Sequence, residues 1–230
     1  MNMPTTRPGL RFRPLVWALL LGCILTYPFS PAVSRPPGDK RDYILVINTY
    51  AESTPWSRGI IADITAHVEQ IENLELYTEH MTLLLVDSPE DIRTFEANLL
   101  REYGKKPPQA LVLIGTPAAL LRNFINSIWQ DIPTIVCAEQ DFIGPDKYYL
   151  KRQPIPASEQ VPLRALADQD NLTLLYSPAY LDQSVDLMKR ILPGMDRLVF
   201  IDDARYVNRQ TEHDLAELLG SKYPGMKYTV

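Results

Sequence analysis

Short apolar runs alternate with longer amphipathic stretches from residue 42 to residue 230, regularly enough to name elements. Tyr43-Ile44-Leu45-Val46-Ile47 is apolar throughout and rich in β-branched residues, the pattern of a strand buried on both faces. Ile60, Ile61, Ile64, Val68 and Ile71 then recur at helical spacing behind a Thr54-Pro55 start. Leu74 to Met81 predicts a second strand. Ser88-Pro89 opens a helix whose buried stripe is Ile92, Phe95, Leu99, Leu100 and Tyr103, closed by Gly104. Ala110 to Ile114 is a third strand. Thr116-Pro117 starts a predicted helix carrying Leu120, Leu121, Phe124, Ile125 and Ile128, and Pro133 to Cys137 is a fourth strand.

The rhythm lapses over residues 139–170, where prolines at 145, 154, 156 and 162 predict an irregular surface excursion or crossover. It resumes with a strand at Leu172 to Leu175 and a helix marked by Leu181, Val185, Met188 and Leu192, stopped at Pro193-Gly194. Arg197 to Ile201 (strand), Val207 to Leu219 (helix) and Lys227 to Val230 (strand) follow. Strand and helix in this alternation mean a parallel sheet with helices on both faces, so the fold class is α/β with a Rossmann-like lobe. Ligands of such sheets bind beyond the carboxyl ends of the strands. The loops that matter are therefore Asn48 to Trp56, Gly115-Thr116, Ala138 to Phe142, Tyr176 to Tyr180 and Asp202 to Tyr206.

Composition changes this picture mainly at the N-terminus. At 46% hydrophobic and 22% charged residues, the 230-residue chain is a folding one. A net charge of −5 speaks against a dedicated nucleic-acid binder. Twenty prolines exceed the usual ~5%. Residues 1–40 hold seven of them and a charge of +4, against −9 for the rest. Arg7, Arg11 and Arg13 precede an uncharged run from Pro14 to Ser34, with Ala32 and Ser34 spaced for cleavage before Arg35. That is the order of a secretory signal, and at 21 residues the run is also long enough for an uncleaved membrane anchor. Either way the following residues are expected outside the cytoplasm. Leu20-Leu21-Gly22-Cys23 approaches a lipoprotein cleavage box, though Leu21 is bulky for it. Beyond this segment only Cys137 remains, so the fold is expected to rest on its core without an internal disulfide.

Catalytic signatures are missing: there is no glycine-rich dinucleotide or phosphate loop, no Gly-x-Ser-x-Gly elbow, and no metal-ligand spacing among His67, His80 and His213. No catalytic residue and no cofactor is expected in this stretch. The strand-end loops instead combine rings with polar groups, which suits a small polar ligand with an apolar face. Asn48, Thr49, Tyr50 and Trp56 follow the first strand, Gly115 and Thr116 the third, Glu139 and Asp141 the fourth. Tyr180, Asp202, Arg205 and Tyr206 complete the candidate binding set. Asp202-Asp203 resembles the metal-binding acid pair of a response-regulator receiver, but the later phosphate-accepting Asp is missing.

Several blocks together resemble the periplasmic-binding-protein-like (type I) family of ABC-transporter substrate-binding proteins and sensor-kinase extracellular regions. Ile44-Leu45-Val46-Ile47-Asn48-Thr49-Tyr50 with Pro55-Trp56 is similar to its "LVLNSYH…PW" start. Tyr77-Thr78-Glu79-His80-Met81, Ser177-Pro178-Ala179-Tyr180-Leu181, Asp186-Leu187-Met188 and Arg197 to Tyr206 resemble the sensor-kinase branch. Thr49 and Ala51 stand where Ser and His are usual, so ligand identity does not carry over. The resemblance implies an export segment (1–40), a first lobe (41–175) and the beginning of a second (176–230), with a small molecule held between lobes. It implies the sensing region of a membrane-bound, hybrid histidine kinase at the periplasmic face of a bacterial inner membrane, and a homodimer by analogy alone. A transporter's binding protein shares the fold, and an exported α/β enzyme is the third reading.

Overall fold

A computed structural model describes residues 41–167 and 171–230. The predicted export segment lies outside them. Strand β1 (Asp42–Asn48) leads to helix α1 (Pro55–Val68), β2 (Leu74–His80), helix α2 (Pro89–Tyr103), β3 (Ala110–Ile114), a 3₁₀ turn at Thr116–Leu121, helix α3 (Arg122–Ile128) and β4 (Thr134–Ala138). The excursion contains β5 (Phe142–Ile143), helix α4 (Asp146–Lys151), β6 (Val161–Pro162) and helix α5 (Leu163–Ala167). Then come β7 (Leu172–Tyr176), helix α6 (Leu181–Ile191), β8 (Arg197–Val199), helix α7 (Tyr206–Lys222) and β9 (Lys227–Thr229).

Five strands form one parallel sheet in the order β2-β1-β3-β4-β7. Its middle is dry because Tyr43 to Ile47 of β1 and Ala110 to Ile114 of β3 are unbroken apolar runs: Leu45, Val46, Ile47, Leu111 and Ile114 are fully buried. Tyr43, Leu45, Ile47, Leu111 and Leu113 face α2 and α3, which contribute Ile92, Leu99, Tyr103 and Ile125. Val46, Val112, Ile114 and Cys137 face Ile60, Ile61 and Ile64 of α1. Helices thus flank both faces, with one departure from expectation. Thr173 and Leu175 of β7, the edge strand of the sheet, remain exposed.

Three local readings need correction. Of the three proline starts, only Ser88 makes a side-chain cap: its Oγ accepts from Asp91 N–H at 3.3 Å while Asp91 Oδ2 accepts from Ser88 N–H at 2.9 Å. Thr54 makes no such bond. Thr116 spends its hydroxyl and N–H on Glu139, and the predicted continuous helix begins there as a 3₁₀ turn. Residues 139–170 hold more structure than their prolines suggest: β5 pairs antiparallel with β6, and α5 packs Leu163 and Leu166 into the main core.

After β7 the chain builds a smaller layer. β8 pairs parallel with β9, and Val185, Leu215 and Leu219 form a separate cluster with Leu181, Leu198 and Phe200. Lys222 ties α6 to α7 through Asp182 (2.5 Å) and Asp186 (2.9 Å).

Candidate functional site

The order β2-β1-β3 makes the chain leave β1 and β3 in opposite directions, and such a switch opens a crevice at the carboxyl end of the sheet. A cleft of about 310 Å³ sits there. Thr49, Tyr50 and Thr54-Pro55 from the loop after β1 line it, with Thr82 and Leu83 after β2 and Pro117 after β3. The far wall comes from elsewhere in the sequence: Tyr149 and Arg152 of the excursion, and Asp203, Arg205, Tyr206 and Val207 at the start of α7.

Each wall is held by identifiable bonds. Thr49 N–H and Oγ–H both donate to the Ile114 carbonyl, each at 3.0 Å, which joins the β1 loop to β3. Asn48 Oδ1 accepts from Tyr50 N–H at 3.1 Å. Tyr50 meets Trp56 edge-on, ring centroids 5.8 Å apart. Gly115 has φ +96°, and a Cβ there would lie 2.1 Å from Thr49 Oγ1, so this approach of β3 to the β1 loop requires glycine. On the far wall Tyr206 packs on Tyr149 at 4.3 Å, and Gln210 Oε1 accepts the Ile155 N–H at 2.8 Å. Both phenols are pushed above the ordinary tyrosine range, chiefly by burial.

Of the candidates read from the sequence, the cleft brings together Thr49, Tyr50, Arg205 and Tyr206. The others serve it at one remove or stand apart. Asn48 is fully buried beneath the loop, bonded to Tyr50 N–H and close to His80 Nδ1 at 3.1 Å. Trp56 backs Tyr50 from outside, and Gly115 provides the close approach just described. Thr116 donates its N–H (2.8 Å) and hydroxyl (3.1 Å) to Glu139 Oε2. Burial pushes the Glu139 carboxyl up to about 7, against the opposing pull of those bonds and of the Arg205 charge. Asp141 and Tyr180 are exposed and line nothing in the cleft, and Asp202 lies 3.2 Å from Arg209.

Thr82, Leu83, Tyr149, Arg152 and Asp203 were missed by sequence reasoning. Thr82 and Leu83 obey the same strand-end rule as the chosen loops and were within reach of it. Tyr149 and Arg152 carry no such signal, since they lie in an aperiodic stretch.

A second cavity, about 240 Å³, lies under α3 near the starts of β4 and β7, with Arg122, Asn126 and Asn171 in its lining. It is at the opposite end of the strands from the position ligands favour in these sheets. Among the described residues no group of three or more His, Cys, Asp or Glu is placed to hold a metal ion, and no helix is long and apolar enough to cross a membrane.

No family model and no curated protein matches the chain. Among solved structures, it is similar to the ligand-free, open form of CD0873, a substrate binding protein with adhesive properties from Clostridium difficile, at 13% identity and a TM-score of 0.47. The alignment covers 82% of this chain and 57% of that one, so the chain spans a little over half of that structure's length.

Proposed function

We propose that these residues form the extracytoplasmic ligand-binding region of a membrane-bound sensor histidine kinase. A small molecule binds without covalent change between the first lobe, residues 41–175, and the segment 176–230. The observation that carries the reading is the cleft of about 310 Å³ at the carboxyl end of the sheet, with one wall from the β1 and β3 loops and the other from α4 and the start of α7. Its size is at the small end of ligand pockets, roughly 300–1,000 Å³, and tyrosines mixed with a few polar groups are what such pockets use. Thr49, Tyr50, Arg205 and Tyr206 are the residues proposed to touch the ligand. The arginine-led apolar run of residues 1–40 supports export, and the sequence blocks resembling sensor kinases support the signalling role.

Signalling requires that the ligand favour one arrangement of the two walls over another. The phosphotransfer chemistry would reside outside these residues. A metabolite screen by thermal shift tests the binding: a stabilising compound recovered unchanged supports it, and one consumed by the protein contradicts it. Autophosphorylation of the full-length protein in membrane vesicles then tests the signalling. A change of severalfold on adding the compound is expected; a ligand that binds and leaves phosphorylation untouched points to a transport binding protein instead.

A further inference from the structure

Arg205 is held in an unusual way for a surface arginine. Asp203 Oδ1 accepts from Arg205 N–H, Arg205 Nε–H and Asn208 Nδ2–H, each at 2.9 Å, and Asp203 Oδ2 accepts from the same Nε–H at 2.8 Å. The Arg205 bonds hold Asp203 below the usual carboxylate range. All of this engages one edge of the guanidinium. An arginine has five N–H donors, and the four on Nη1 and Nη2 meet no acceptor among the described residues. The Asp203 clamp therefore fixes the plane of the group and leaves its two-pronged face unspent in the cleft.

The cleft around that face combines rings, apolar groups and hydroxyls. The Tyr50 ring centroid is 6.0 Å from Arg205 Cζ, Tyr149, Tyr206, Leu83 and Pro117 add apolar surface, and Thr49, Ser53, Thr54 and Thr82 add hydroxyls. Arg152 lines the same cleft and pairs at 2.9 Å with Asp87, whose side chain is 75% exposed and so well screened by water. Each of the two lining arginines thus has an acidic partner, Asp87 for Arg152 and Asp203 for Arg205. An open guanidinium fork matches two oxygens of a carboxylate in parallel, and a cleft whose cationic charge is already offset in this way suits a monoanion better than a dianion.

Resting on the binding role proposed above, we infer that Arg205 is the anion-recognition residue of the cleft, that its ligand is a small organic carboxylate with an apolar body, and that Asp203 is the positioning residue that aims the fork. The carboxylate end meets Nη1 and Nη2, and the body lies against the tyrosines.

The test uses sodium benzoate as probe, benzamide as its neutral isostere and phenyl phosphate as a dianion, titrated calorimetrically against the whole chain. Benzoate is expected to bind at least about tenfold tighter than benzamide, a difference of about 1.4 kcal/mol, and tighter than phenyl phosphate. Arg205→Gln abolishes that preference. Asp203→Asn narrows it severalfold; the readout is the ratio of benzoate to benzamide affinity, which loss of loop structure alone would not change, since it would weaken both probes alike. Circular dichroism checks that both variants fold. Equal binding of benzoate and benzamide, with Arg205→Gln without effect, overturns the inference and leaves the binding role intact. Tighter phenyl phosphate binding overturns the carboxylate assignment. If neither probe binds, and the compounds found by the metabolite screen bind Arg205→Gln as well as the parent chain, the inference fails too. A screen without any stabilising compound removes the binding role itself.

Discussion

The sheet of residues 42–176 and the segment of residues 177–230 share one strand–helix rhythm, yet they are built to different standards of burial. In the first, Leu45, Ile47, Leu113 and Leu121 are at most 1% exposed. In the second, Ile191, Leu192, Val199 and Ile201 are 68%, 60%, 59% and 90% exposed, and a single small cluster around Val185, Leu215 and Leu219 holds the layer. A two-stranded sheet with one cluster is marginal by itself. The segment's firmest anchor outside its own cluster is the seam of Tyr206 on Tyr149 and Gln210 on Ile155, which is also the far wall of the cleft. The comparison teaches that the far wall of the candidate site joins α4 of the well-buried region to a segment held by a few contacts, an arrangement suited to local movement.

The largest expected effect breaks the contrast at its core. Leu113→Ala in the central β3 should cost about 4 kcal/mol of stability, whereas Ile201→Ala should stay within about 0.5 kcal/mol, both read by urea denaturation. Similar losses at both positions would mean that the second segment buries Ile201 in solution.

Next in size is the buried carboxyl near the seam. Glu139 is raised from 4.5 to about 7, so the folded chain holds this proton more tightly than the unfolded one. Stability contributed below pH 4.5 is therefore lost as pH rises through 7 and stays lost above it. The total is on the order of 3 kcal/mol, and Glu139→Gln should flatten that slope in denaturation curves taken at pH 5 and pH 8.

At the seam itself, Gln210→Ala leaves the buried Ile155 N–H without its acceptor and should cost about 2 kcal/mol. Hydrogen exchange should then speed up in α4 and α7 together and leave β1 and β3 as they were. A smaller effect sharpens the comparison within the first sheet. Ser88→Ala should cost about 1 kcal/mol and Thr54→Ala far less, because only Ser88 caps its helix through its side chain.

Particular elements explain what could be read from the chain alone. β1 and β3 were legible because their buried middles, Tyr43 to Ile47 and Ala110 to Ile114, are unbroken apolar runs, and α1 and α2 because each shows its buried stripe. The rule that ligands lie beyond the carboxyl ends of the strands pointed to the end of the sheet where the cleft of Thr49 and Tyr50 opens. Arg205 and Tyr206 came from the same rule applied to a later strand. Their meeting with Tyr149 and Arg152 was not legible, since it depends on how residues 139–170 fold back, and proline-rich aperiodic sequence does not encode that. Thr116 and Glu139 were chosen as ligand contacts for their chemistry. In the fold they bond to each other, a pairing that local sequence cannot distinguish from a pair open to a ligand.

Amide hydrogen exchange of the whole chain, with and without the strongest stabiliser from the metabolite screen, tests most directly the claim that ligand joins the two walls. Slower exchange is predicted in residues 49–55 and 203–210 together, on opposite sides of the cleft. Protection confined to residues 122–134 and 171–172, around the other cavity, would contradict it.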